Sequence, residues 1–170
     1  IIGGTTTEAR NIISGSLYNG VVVSGDDNTI QGNYIGTDAT GSGAVPNTVQ
    51  GIQIFDSPDN QIGGTSAGAR NVISGNGAHG IQVRGLPGTN NVIEGNFIGT
   101  NAAGTATLGN TLQGIIVSGG IGTRIGGTAT GAGNVIGGNG QHGVWLVTSL
   151  SDNNVVEGNF IGTDIAGIPT

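Results

Sequence analysis

The sequence predicts an all-β fold: one parallel β-solenoid over residues 1–170, with three short strands per coil, about five coils and a two-coil super-repeat of 60 to 63 residues. Three observations carry this expectation. Ile-Gly-Gly-Thr recurs at Ile2, Ile62 and Ile125, and Asn-(Tyr/Phe)-Ile-Gly-Thr at Asn33, Asn96 and Asn159. A shorter period lies inside the long one, marked by Gly20, Gly51, Gly80, Gly114 and Gly143, each opening a β-branched run. The 37 glycines follow no collagen triplet and punctuate short apolar runs, as turns between strands do. Self-similarity at fixed spacing is the signature of stacked repeats.

Each coil is predicted to hold three strands. The first follows the marker glycine, as in Gly51-Ile-Gln-Ile and Gly114-Ile-Ile-Val. The second centres on Ile30, Ile62, Ile93, Ile125 and Val156, and the third on Ile35, Ile73, Ile98, Ile136 and Ile161. Runs of three to five residues turn one or two side chains inward, so three of them enclose a small apolar core. Coils alternate in kind. In one, a long turn such as 38–49 follows the third strand; in the other, an insertion such as 66–70 separates strands two and three. Spaced by about 4.8 Å, five coils and a partial sixth make a rod of order 25 Å. Asn33, Asn71, Asn96, Asn134 and Asn159 all open the third strand, which predicts an internal asparagine ladder.

Composition excludes several classes of function. With 8% charged residues, four Arg, no Lys and a net charge of -6, the chain has no basic footprint for nucleic acid or anionic lipid. No run of about 18 apolar residues predicts a membrane span, so no membrane insertion is expected. The absence of Cys removes disulfides and thiolate metal sites and is compatible with export. Because the sequence opens and closes inside a repeat, it is expected to be a segment of a longer solenoid or a filament unit.

Asn71-Val-Ile-Ser-Gly-Asn, Gly80-Ile-Gln-Val and Asn91-Val-Ile-Glu-Gly-Asn-Phe-Ile-Gly-Thr resemble the right-handed parallel β-helix repeats of the pectin-lyase-like superfamily, of the bacterial secreted and surface type. The resemblance implies a right-handed coil and an extracellular or cell-surface setting, but no single activity, since that superfamily spans polysaccharide lyases, hydrolases, adhesins and repeats without known chemistry. Its lyases pair calcium-binding acids with an Arg or Lys base on one outward face, and its hydrolases cluster Asp. Here the outward column of strand one reads Val22, Gln53, Gln82, Ile116 and Trp145, with neither acid nor base.

Catalytic residues are therefore expected to be none. Ligand-binding candidates are Trp145, Gln53, Gln82 and the turn acids Asp26 and Asp56, which also fit solvated turn positions. The expected cofactor is none; Asp38 and Asp164 are candidates for a structural calcium ion, or for turn caps, because the middle copy of that turn carries Asn101. Glu94 and Glu157 repeat on strand two and read as copied surface residues, so that Ile93→Asp should unfold the rod while Glu94→Ala should leave melting nearly unchanged. His79 and His142 stand in a polar column with Asn19, Gln50 and Gln113 and are too far apart to share a zinc ion.

The outward column of strand three is apolar: Ile12, Tyr34, Val72, Phe97, Val135, Phe160. It is a candidate interaction surface unless the insertions fold over it. The function expected is a non-catalytic structural segment of an extracellular surface, adhesin or filament-forming protein, associating end to end or with neighbouring coils. A carbohydrate-active or carbohydrate-binding domain with a glycan partner is the alternative.

Overall fold

The computed structural model describes residues 1–85, 90–147 and 151–170. β-branched runs of two to four residues form strands that pair only in parallel, each with its counterpart one coil away. Three sheets result. Sheet I has five strands, from Val21–Val23 to Val144–Val147; sheet II has six, from Ile2–Gly3 to Val155–Glu157; sheet III has six, from Ile12–Ile13 to Phe160–Ile161. The chain visits them in the order I, II, III five times after a leading strand in each of sheets II and III. This is the predicted stack, and helix is confined to the 3₁₀ turns Thr7–Ala9 and Ala67–Ala69 among the described residues.

Register follows the repeat. Ile2, Ile30, Ile62, Ile93, Ile125 and Val156 pair in succession through sheet II, and Ile13, Ile35, Ile73, Ile98, Ile136 and Ile161 through sheet III. A one-residue slip would turn each isoleucine out to solvent, so burial fixes the register. The two rows meet the inward residues of sheet I in one continuous core, where Ile30, Ile62, Ile93, Ile98 and Ile125 are fully buried.

Polar ladders hold the corners. Asn33, Asn71, Asn96, Asn134 and Asn159 form the predicted one, and Asn11 extends it by a rung: each Nδ2 donates to the next Oδ1 at 2.8–3.2 Å, from Asn11 to Asn33 and on to Asn159. The same oxygen also accepts the preceding asparagine's backbone N–H, as between Asn96 and Asn134 at 2.9 Å. At buried positions each unpaired amide would cost about 1–3 kcal/mol, so the ladder ties the coils together. Two further ladders were not anticipated. One runs Asn47, Asn76, Asn110, Asn139 with Nδ2 to Oδ1 distances of 2.8–2.9 Å; the other uses Asn60, Asn91 and Asn154 to cap backbone N–H groups of the preceding coil.

Insertions of the two coil types form two rows flanking sheet III. The insertions of alternate coils stack so closely that a Cβ on Gly68 would stand 2.1 Å from Thr5 O, and on Gly131, 2.0 Å from Thr65 O. On the other flank the long turns are joined by Ala102 N–H to Gly41 O and Ile165 N–H to Gly104 O, each 2.9 Å.

Candidate functional site

Sheet I presents the expected outward column: Val22, Gln53, Gln82, Ile116 and Trp145 are in register. The amides are bonded to one another. Gln53 Nε2 and Gln50 Nε2 both donate to Gln82 Oε1, at 2.9 and 3.0 Å, and Asn19 Nδ2 donates to Gln53 Oε1 at 3.0 Å. One side of each glutamine is thus committed to the stack. Ile116 departs from the expectation of an outward surface residue: it lies outside the central core yet is 7% exposed, flanked in register by Gln82 and Trp145. Trp145 is 42% exposed and meets His142 edge to face at 5.4 Å. The Leu150 turn, a candidate cover for this ring, lies outside the described residues.

His79 stands beside Gln113, two coils from His142. Burial disfavours its charged form and lowers its pKa, with the neighbouring Gln113 amide acting the other way. Its Nδ1 and Gln113 Oε1 are buried without hydrogen-bond partners among the described residues.

The turn acids serve backbone geometry. Asp27, Asp59, Asn90 and Asn153 occupy equivalent positions just before strand two, all with φ of 56–57°, and Asp56 has φ of 50°. Asp and Asn tolerate this left-handed conformation better than other non-glycine residues. Asp26 and Asp56 are exposed at this edge, away from the Trp145 ring's own strand. In the long turns Asp38 Oδ1 accepts Thr40 N–H, Thr40 Oγ1–H and Ser42 N–H at 3.0, 2.7 and 3.2 Å. The Thr40 hydroxyl bond is the largest cause holding this carboxyl below the usual range. Asp164 Oδ1 accepts Ala166 and Ile168 N–H, and Asn101 Oδ1 accepts Thr105 and Ala106 N–H, so the same capping task is done by a neutral amide. Among the described residues no three His, Asp or Glu side chains come together as a metal cluster.

Glu94 corrects the reading of strand two as a free surface. It is 7% exposed, its Oε2 is 2.8 Å from Arg124 Nη2 and its Oε1 accepts from Gln61 Nε2 at 3.2 Å. The cause is sequence position: Arg124 and Gln61 flank it from the coils on either side, which the glycines in the intervening column did not suggest.

The apolar column of sheet III is not one open stripe. Val72, Phe97 and Val135 are 2–3% exposed and make a second core with Tyr34 and Ala102, whereas Ile12 and Phe160 at its two ends are each 45% exposed. The insertions supply the cover. Arg10 stacks on Tyr34 at 4.2 Å from the ring centroid and Arg70 on Phe97 at 4.1 Å. Each Nε–H donates to a backbone carbonyl, Gly32 O at 3.2 Å and Gly95 O at 3.1 Å. Sequence reasoning passed over these arginines, though each stands immediately before a ladder asparagine, Asn11 and Asn71.

No helix among the described residues is long and apolar enough to cross a membrane. Comparison with family models, curated proteins and solved structures finds no match to this chain.

Proposed function

We propose that the chain is a non-catalytic structural unit of an extracellular surface, adhesin or filament-forming protein, in which a further coil of the same polarity seats on each end of the rod. The polarity of the asparagine ladder supports this reading. Among the described residues Asn11 donates to the next coil but its own Oδ1 accepts no bond, while Asn159 accepts from the coil before it and its backbone N–H meets no acceptor. One end therefore offers acceptors and the other donors, and the strand edges at both ends carry unpaired backbone groups. The inward Val156 and Ile161 of the last coil, 40% and 45% exposed, supply an apolar face to match the leading strands of sheets II and III. A coil of a second copy, added head to tail, restores both the alternation of coil types and the ladder.

The resemblance to the pectin-lyase-like superfamily keeps a carbohydrate role as the second reading, and the exposed Trp145 ring, in one outward column with Gln53 and Gln82, favours binding over turnover. Incubation with acidic and neutral polysaccharides, with and without calcium, tests both. No turnover is expected. Turnover abolished by Asp26→Ala or Asp56→Ala would overturn the structural reading, and glycan binding lost in Trp145→Ala would move the function to sheet I.

A further inference from the structure

The third copy of the arginine position is a glycine. Arg10, Arg70 and Gly133 are equivalent, each preceding a ladder asparagine, and the rings they face are Tyr34, Phe97 and Phe160. In the first two copies the guanidinium lies on the ring and bonds a glycine carbonyl of the next coil. In the third, Phe160 is 45% exposed and its carbonyl counterpart, Gly158 O, receives no donor among the described residues. A groove of about 550 Å³ lies there, floored by Val135 and Phe160 and walled by Ile165.

We infer that this groove receives an arginine side chain from another polypeptide, seated on Phe160 as Arg10 and Arg70 are seated on their rings. The chain does not fill the place itself: the backbone at Gly133 has closed in, so that a Cβ there would stand 2.1 Å from Gly158 O. The groove is larger than a guanidinium and takes the flanking backbone of a bound segment as well. A planar guanidinium matches both features of the site, an aromatic face and a carbonyl acceptor. A chain of net charge -6 without lysine attracts a cationic partner. Arg70 at the rim is no obstacle, because Arg10 and Arg70 already stand two coils apart, about 10 Å, in the same row. Phe160 lies in the last coil, where a second copy seated head to tail would border the groove, so the titration is read on single chains, below any concentration at which light scattering shows the rods joining.

The test is a nuclear magnetic resonance titration of the full chain with acetyl-Gly-Arg-Gly-amide, using the citrulline peptide as the neutral isostere. The arginine peptide is expected to shift the Phe160 ring, the Val135 methyls and the Gly158 amide, with citrulline at least about fivefold weaker. Phe160→Leu, folded to the same melting point, should lose about fivefold in affinity for the arginine peptide. Equal binding of citrulline, shifts centred elsewhere, no shift up to about 10 mM peptide, or an unchanged affinity in Phe160→Leu would each overturn the inference. The arginine-against-citrulline comparison on the unmodified chain decides the matter without any variant.

Discussion

Ile93 and Ile98 in the middle of the rod are fully buried, whereas Val156 and Ile161, at the same two positions in the last coil, are 40% and 45% exposed. The residues are nearly the same and the strands are the same; only the number of neighbouring coils differs. An inward side chain is thus covered in two halves, one by the coil before it and one by the coil after it. Stability in such a stack is a sum of coil-to-coil interfaces, as expected for a quasi-one-dimensional fold.

The sharpest way to break this comparison is to place a charge in each layer. Ile93→Asp removes a fully buried isoleucine and strands a carboxylate among apolar side chains, at a cost of at least about 4 kcal/mol. Ile161→Asp is expected to cost less than half of that in urea unfolding, since solvent already reaches the position. Equal losses would mean that the last coil is as tightly held as the middle.

The ladder gives the next contrast. Asn96→Ala leaves Asn71 N–H and Nδ2 without their acceptor and frees the carbonyls of Ile62 and Glu94, which accept from Asn96 Nδ2 at 2.9 and 3.0 Å. The expected loss is about 2–4 kcal/mol. Asn159→Ala, where water replaces part of the lost bonding, should cost about 1–2 kcal/mol by the same measurement.

Glu94 and Glu157 sharpen it further, being copies of one residue with different surroundings. Glu94→Ala unpairs Arg124, whose side chain is about a third exposed, and should cost about 1–2 kcal/mol. Glu157→Ala has no ion pair to lose among the described residues and should fall within about 0.5 kcal/mol of the parent.

The smallest effects are in pH. Burial lowers the His79 pKa below its ordinary 6.5, so the unfolded chain binds the proton first. The stability it contributes is complete above pH 6.5 and is lost as pH falls toward the lowered folded value. His79→Gln, matching Gln50 and Gln113 in the same column, should flatten that slope in thermal melts. Asp38 acts at lower pH with the same sign: its stabilisation is present above its ordinary 3.8 and lost as pH falls through the lowered value, and Asp38→Asn should abolish the dependence because Asn101 caps the equivalent turn.

Direction was legible in the sequence and cover was not. Gly followed by alternating β-branched residues told which side chains of sheet I point inward, and the repeat of Asn33, Asn71 and Asn96 told that a ladder runs beside them. A second ladder was written as plainly, Asn47, Asn76, Asn110 and Asn139 each standing four residues before a strand-one glycine, but asparagine in a glycine-rich turn reads first as a turn former. Ile116, Glu94 and the middle of the sheet III column, Val72, Phe97 and Val135, all point outward yet are buried. What covers Glu94 is a side chain from a neighbouring coil, and what covers Phe97 includes an insertion folding back; neither is set by alternation within a strand. For the same reason the Arg10 and Arg70 stacks, and the glycine that replaces them at 133, emerged only when the coils were laid one on another.

The claim that each end of the rod seats a further coil is tested most directly by light scattering and electron microscopy of the purified chain at rising concentration. The account predicts unbranched rods one solenoid wide whose mass grows in whole-chain steps. Particles that keep the mass of a single chain at every concentration would contradict it.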